Sequence, residues 1–377
     1  MKYYIIAGEA SGDLHASNLI KGLFKHDPEA EVRAWGGELV EAAGAKLIKH
    51  YKELAIMGFV EVLSHLSTIR KNFKFAKMDI LDFQPDVLIT VDFPGFNLRM
   101  AKWAKAKGIR TFHYISPNVW AWKKNRVYSM RKTIDQLFVI LPFEPEFYQE
   151  FDVNPIYEGH PLLDAVNQFQ TVDLQRFKQK HSLDERKIVA ILPGSRKQEI
   201  SRMLPHMIRI AKRKSEYQYL IAGAPGMDVD FYQQFISNHD NIHLLHNETY
   251  HILYYAVSGM ICSGTATLEA ALFNVPQVVC YKTNRISFFI ARLIVKIRRF
   301  SLVNLILSRD AVKELIQHEM TDESLSREFN DICPEGNKHD VVLGDYQELK
   351  LKLGSNGVSD RIAKKMINLL HEYSKTT

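Results

Sequence analysis

DVLITVDFPGFN, residues 86–97, carries five apolar or β-branched side chains in a row and then breaks at Asp-Phe-Pro-Gly. A strand without polar alternation has no solvent-facing side, so it belongs inside a sheet covered on both faces. Similar runs flank it at spacings that leave room for helices: YYIIA (3–7), VRAWG (32–36), RTFHYI (110–115) and QLFVIL (136–141). Apolar strands alternating with helical stretches predict a parallel α/β sheet. The cycle starts again after GHPLLDAV and a polar stretch at 167–186, with KIVAILP (187–193), YQYLIAG (217–223), NIHLL (241–245), VSGMIC (257–262) and PQVVCY (276–281). The expectation is an α/β protein built from two Rossmann-like, doubly wound domains facing a central cleft.

Composition agrees with that architecture and excludes others. A chain of 377 residues, 46% hydrophobic and 24% charged, suits two globular domains rather than a disordered or fibrous protein. The three cysteines, Cys262, Cys280 and Cys333, have no metal-like or redox spacing and read as reduced core residues. The amino-terminal apolar run ends at Glu9, far short of a signal peptide, and no run reaches the roughly 18 residues of a spanning helix. A cytoplasmic chain is expected.

The net charge of +6 is unevenly placed. Between Lys282 and Ser308 stand Lys282, Arg285, Arg292, Lys296, Arg298 and Arg299, with no Asp or Glu. In a helix, Arg285, Arg292, Lys296 and Arg299 share a face, and apolar residues fill much of the rest, as in a membrane-surface or anion-binding helix. LAIMGFVEVLSHL (54–66) is apolar on nearly every helical face, through Ile56, Met57, Phe59, Val60, Val62 and Leu63. Burial in the core explains either stretch as well as a membrane-facing patch does.

Ligands of open parallel sheets bind beyond the carboxyl ends of strands, so the strand-to-helix loops are the place to look for chemistry. GEASGD offers Glu9, Ser11, Gly12 and Asp13; DFPGFN offers Asp92 and Asn97; SPNVWAWKKNR offers Trp120, Trp122, Lys123, Lys124 and Arg126. In the second half, PGSRKQE brings Gly194, Ser195 and Arg196, and SGTATLEA brings Ser263, Gly264, Thr265 and Glu269. A small-residue turn at a helix start presents amides to an anion, and Arg196 can grip phosphate with two hydrogen bonds. Ordinary helix capping accounts for the same small residues. Glu269, one turn into its helix, suits sugar hydroxyls. Asp92 ends a buried strand, where a general base is held rigidly; a turn-forming Asp before Pro94 is the alternative. His113 reads as a core histidine, and the Asp228/Asp230 pair as a surface cap, so no metal site is expected. G-x-G-x-x-G, the P-loop and the hydrolase elbow are all missing from these loops.

Taken together, AGEASGD, ELAIMGFVEVL, HYISPNVWAWKKNR, FVILPFE, GHPLLD, LPGSR and SGTATLEAAL resemble, in order from residue 3 to about 316, the lipid-A-disaccharide synthase family of Gram-negative glycosyltransferases. The resemblance implies a GT-B fold without cofactor or metal. It assigns acceptor binding to a domain at 1–166, joined by a returning carboxyl-terminal helix at 357–377, and UDP-sugar binding to 167–356. The implied reaction joins UDP-2,3-diacylglucosamine to 2,3-diacylglucosamine 1-phosphate, releasing UDP. It implies Asp92 as base, Arg196 and the 263–265 loop on the diphosphate, and Glu269 on the ribose. Lys123, Lys124 or Arg126 would then lie near the acceptor phosphate, with the tryptophans beside sugar or acyl chain. Acylated substrates imply peripheral association with the anionic inner-membrane surface. Two rivals differ in kind: a UDP-sugar epimerase of the same fold, and a nucleic-acid-binding protein, the latter disfavoured because the charge is clustered beside apolar residues.

Overall fold

The computed structural model describes residues 1–54, 66–236, 239–284, 288 and 298–376. They form two compact units, Met1–Ala165 with Leu353–Thr377, and Val166–Lys352. The first holds a seven-stranded sheet of β1 (Lys2–Ala7), β2 (Glu31–Gly36), β3 (Lys46–His50), β4 (Val87–Val91), β5 (Arg110–Tyr114), β6 (Gln136–Val139) and β7 (Ile156–Tyr157), in the order β3-β2-β1-β4-β5-β6-β7. The second holds six strands, β8 (Lys187–Leu192), β9 (Tyr217–Gly223), β10 (Ile242–His246), β11 (Ala256–Cys262), β12 (Gln277–Tyr281) and β13 (Lys313–Ile316), in the order β10-β9-β8-β11-β12-β13. Every pairing is parallel.

The α/β reading and all ten apolar runs stand, and three strands are added. β4 is buried along its whole length, as a strand covered on both faces must be. The added strands β3, β7 and β13 all lie at sheet edges. KLIKH and KELI carry charges and IY is only two residues long, so an apolar-run criterion passes over them. Short, charged edges are what keep a sheet from pairing with another chain.

Polar groups inside the first core are paired in series. The buried Trp35 indole donates to Tyr4 Oη at 2.9 Å, Tyr4 donates to Asp79 at 2.7 Å, and Arg33 donates to the other Asp79 oxygen at 2.7 Å. Each donor therefore leaves water without losing its hydrogen bond. The three cysteines are free and buried, and Cys262 stands opposite Cys280 in register on β11 and β12. No helix among the described residues is long and apolar enough to cross a membrane.

The carboxyl-terminal helix Val358–Thr376 packs on the helix Ala10–His26, close enough that a Cβ on Gly22 would stand 2.8 Å from that of Ala363. Its start is held by Asp164, whose buried carboxylate accepts from the amides of Gly357 (2.6 Å), Val358 (3.1 Å) and Ser359 (2.7 Å). Gly159 completes the clasp: at φ +112 it suits no other residue, and a Cβ there would meet the Leu353 carbonyl at 2.9 Å. The GHPLLD motif thus works as a dock for the last helix. Asp164→Ala strands three amides at a buried helix start and is expected to destabilise the first unit by about 2–4 kcal/mol in a denaturant melt, with earlier proteolysis of the final helix.

Candidate functional site

Strand order fixes where each unit opens. From β1 the chain steps outward through β2 and β3, then returns to the other side of β1 as β4; in the second unit β8 and β11 are related in the same way. Loops leaving such neighbours part to opposite faces, so a crevice opens at their carboxyl ends. The crevice at β1/β4 holds GEASGD and DFPGFN, and that at β8/β11 holds PGSRKQE and SGTATLEA.

Backbone constraints hold Asp92 at the first crevice. Asp92 and Phe93 both have positive φ, 44° and 49°. The Asp92 amide donates to the Tyr114 carbonyl at 2.9 Å. The Phe93 ring lies where Gly8 has no side chain, and a Cβ on Gly8 would come within 2.4 Å of it. Asn97, fully buried, donates through Nδ2 to the carbonyls of Ile6 (3.1 Å), Val91 (3.0 Å) and Asp92 (2.8 Å). Burial raises the Asp92 carboxyl to about 6, the like charge of Glu9 adds to the rise, and the Phe93 amide opposes it. A carboxylate of that affinity is ionised at neutral pH and still able to take a proton.

The other residues of GEASGD divide. Glu9 is half-buried and Ser11 exposed, while Gly12 packs its bare Cα on the end of β1, with a Cβ only 3.3 Å from that of Ala7. Asp13 turns inward, accepting from the amides of Gly37 (2.6 Å), Leu39 (3.2 Å) and Val40 (3.2 Å) at the start of the helix Glu38–Ala42. Asp13 and Asn97, expected to line an open site, therefore serve the backbone beneath it. His113 is a core residue, its Nδ1 2.7 Å from Thr90 Oγ1 and its pKa lowered to about 4 by burial.

After β5 the chain passes Ile115 at φ 65° and forms the short helix Val119–Trp122. Trp120 is half-buried and meets Phe143 edge-on at 5.1 Å. Trp122 is 42% exposed, with Lys123 Nζ 4.3 Å and Arg126 Cζ 5.5 Å from its ring centroid. Lys124 Nζ lies 5.4 Å from the Phe147 ring. None of the three cations pairs with a carboxylate among the described residues. Beneath them Glu144 of FVILPFE is 1% exposed and accepts from the amides of Ile140 (3.0 Å) and Leu141 (2.8 Å). Burial lifts its carboxyl to about 7, against those amides and the neighbouring Trp120 indole.

In the second unit Gly194, at φ +114, brings PGSRKQE against the end of β11; a Cβ there would stand 3.3 Å from Cys262 Sγ. The amides at this turn are not open. Glu199 Oε2 accepts from Ser195 (3.1 Å) and Arg196 (3.3 Å), closing a capping box at the helix Lys197–Arg213. What the loop offers an anion is the Arg196 guanidinium, 58% exposed and 3.8 Å from Glu199 Oε1. The neighbouring loop is different. Ser263 donates to the Phe300 carbonyl at 3.1 Å, Gly264 adopts φ +147 with no atom within 4 Å of a would-be Cβ, and no side chain caps the helix Thr265–Leu272. Its Thr265 and Ala266 amides have no side-chain acceptor among the described residues, and the helix dipole favours an anion there. Glu269 is half-buried on that helix, its carboxyl raised by burial, and it accepts from Tyr250 Oη at 3.1 Å. Tyr250 escapes a motif search because its one contact is with Glu269, nineteen positions away, while Glu199 stands inside PGSRKQE but reads as an ordinary first-turn glutamate. No group of three or more potential metal ligands occurs among the described residues.

Of the expected membrane patch, Ile56, Met57, Phe59, Val60, Val62, Leu63, Arg285, Arg292 and Lys296 lie outside the described residues. Arg299 is ion-paired, Nε to Asp310 at 2.8 Å.

The family described as lipid-A-disaccharide synthetase matches residues 3–365. The lipid-A-disaccharide synthase of Syntrophus aciditrophicus (strain SB) is 34% identical over 374 residues, covering 97% of this chain and 97% of that protein. That of Myxococcus xanthus (strain DK1622) is 35% identical over 371 residues, with 97% of each covered. Among solved structures, UDP-GlcNAc 2-epimerase from Neisseria meningitidis, bound to UDP-GlcNAc, superposes with a TM-score of 0.71 at 14% identity over 98% of this chain and 100% of that one. A calicheamicin glycosyltransferase gives 0.62 at 14%, covering 99% and 98%. At these identities the structural likeness shows the fold, GT-B.

The site's electrostatics can be read without turnover. Carboxyl NMR should find Asp92 titrating near 6, and Glu9→Gln should lower that midpoint by removing the like charge; an unmoved midpoint would leave burial as the sole cause.

Proposed function

This chain belongs to the lipid-A-disaccharide synthetase family, and on that premise we propose how its two carboxyl-edge crevices carry out lipid-A disaccharide synthesis. The donor is UDP-2,3-diacylglucosamine and the acceptor 2,3-diacylglucosamine 1-phosphate. The acceptor's 6-hydroxyl oxygen forms a bond to the donor's anomeric carbon as the bond from that carbon to the diphosphate breaks. The products are a β(1→6)-linked disaccharide phosphate and UDP.

The observation that carries this reading is Asp92, fixed by backbone constraints at the β1/β4 switch point with its carboxyl raised to about 6. Asp92 accepts the hydroxyl proton as the new bond forms, on the face opposite the departing UDP, which gives inversion. Glu9 serves by keeping Asp92 basic enough for that transfer. On the donor side the leaving diphosphate gains negative charge. The uncapped amides after Gly264 and the exposed Arg196 stabilise it, preorganised by the strand ends they follow. Glu199 holds the Ser195 and Arg196 amides, so this loop contributes chiefly its guanidinium. Glu269 takes the ribose hydroxyls.

Acceptor recognition falls to the loop after β5. Its free cations Lys123, Lys124 and Arg126 suit a sugar phosphate, and the exposed face of Trp122 suits the sugar or its acyl chains. Because both substrates carry acyl chains, the enzyme works from the cytoplasmic side as a peripheral protein on the anionic inner membrane. The apolar 54–66 segment and the basic 285–299 segment are its proposed contacts, on their sequence patterns alone.

Asp92→Asn should lower kcat by about 10²- to 10⁴-fold with little change in either KM, read as UDP release dependent on acylated acceptor. In the unmodified enzyme kcat/KM should fall as pH drops through about 6, because the base must be deprotonated before it can accept a proton. Conversion of the UDP-sugar to an epimeric UDP-sugar without acceptor, and with no net release of UDP, would favour an epimerase instead. Ser substitution of Ile56, Phe59 and Leu63 together should reduce co-sedimentation with anionic vesicles at an unchanged melting temperature; a lowered melting temperature would mark the segment as core.

A further inference from the structure

Glu269 is a carboxylate with an incomplete set of partners. It is half-buried, and no Lys, Arg or His pairs with it among the described residues. Burial alone would push it toward the neutral form, and a neutral carboxyl presents one acceptor oxygen and one donor where vicinal hydroxyls require acceptors. The single described group that opposes this is Tyr250, whose Oη donates to Glu269 Oε1 at 3.1 Å.

Tyr250 is well placed to hold that bond. It sits in the first turn of the helix Thr249–Tyr255, between β10 and β11, while Glu269 sits on the helix leaving β11. Its ring is wedged between Phe273, 5.1 Å away, and Phe169, which meets it edge-on at 5.8 Å. Phe169 is itself 5.6 Å from Phe273, so the three rings form a closed aromatic bracket. The hydroxyl has little choice of direction, and burial together with the facing carboxylate raises its own pKa, so it remains a donor.

We propose that Tyr250 is a positioning residue for the donor: by occupying Oε1 of Glu269 it keeps the carboxylate ionised and turned so that Oε2 accepts from the ribose hydroxyls of the UDP-sugar. This rests on the reading of Glu269 as the ribose acceptor. Tyr250 need not touch the substrate. Its contribution is to spare the incoming nucleotide the cost of deprotonating and reorienting a half-buried carboxyl, a cost that would appear as weakened donor binding.

Among the described residues Tyr250 is the one side chain that shifts the titration of Glu269, and Glu269 in turn shifts that of Tyr250. Burial raises the carboxyl and the hydroxyl bond lowers it, so removing the hydroxyl must raise it further. The ionised fraction at a given pH then falls, and donor binding fails at a higher pH on the acid side.

Tyr250→Phe keeps the ring in its bracket and deletes only the donor. On the full-length enzyme at pH 8, KM for the UDP-sugar should rise about tenfold, as for loss of one hydrogen bond to a charged acceptor, with the effect on KM rather than kcat. The acid limb of kcat/KM for the donor should move to higher pH, and calorimetric UDP affinity should fall by the same factor. Glu269→Gln is the companion: it should weaken UDP binding at least as much, and adding Tyr250→Phe to it should cost nothing more. If Glu269→Gln weakens binding while Tyr250→Phe alters neither UDP affinity nor the pH profile, Tyr250 merely packs and the proposal is wrong. If Glu269→Gln itself leaves UDP affinity intact, the ribose reading falls and takes the proposal with it.

Discussion

The first unit's crevice depends on one side-chain amide. Asn97, without solvent exposure, ties together the carbonyls at the ends of β1 and β4 through Ile6, Val91 and Asp92. Ile6 lies one residue before the end of β1, Val91 ends β4, and Asp92 follows it. With them tied, the chain can afford two successive residues of positive φ, Asp92 and Phe93, a conformation that costs on the order of 1–3 kcal/mol per residue. The chain thereby turns sharply at Asp92, directly after β4. Gly8 is the matching concession, since any side chain there would collide with the Phe93 ring. One motif on β1 and another on β4 are thus a single mechanical part.

The second unit reaches a related result with different means. Its switch point lies between β8 and β11, again with residues of positive φ, here Gly194 and Gly264, turning the chain from strand to helix. The two turns look alike in sequence and differ in electrostatics. At the first, Glu199 neutralises the amides from within the helix; at the second, no side chain does so. An anion approaching the pair meets one closed turn carrying an exposed cation and one open turn carrying a fixed dipole.

The central strands were legible because burial on both faces leaves no room for polar residues, so β1, β2, β4, β5, β6, β8, β9, β11 and β12 read as apolar runs. β3, β7 and β13 did not, because an edge is stabilised by one neighbour and protected by charge or brevity. Asp92 and the GSR and SGT turns were found by position, since every strand's carboxyl end is a known place. Asp13 and Asn97 were found by the same rule but turn inward, and only backbone directions decide that. Tyr250 and Glu199 lay beyond reach: one lies nineteen positions from its partner, and the other looks like any first-turn glutamate.

Beside the ion-paired carboxylates of the surface stand two further kinds, and a raised pKa does not separate them. Asp13, Asp164 and Glu314 each accept several backbone bonds and hold a helix start in place. Glu144, raised to about 7, has a proton affinity suited to a general base, yet it is 1% exposed and gives one oxygen to two amides. No substrate hydroxyl can reach it. Its elevation records only the desolvation of a structural cap. Asp92 and Glu269 are raised as well, but Asp92 directly follows β4 at the first switch point and Glu269 lies on the helix leaving β11 at the second. Titration behaviour becomes a sign of chemistry only when joined to an oxygen that the fold leaves unspent. Among the described residues, Asp92 in the first unit and Glu269 in the second meet that joint criterion, and for that reason they carry the proposed base and ribose roles.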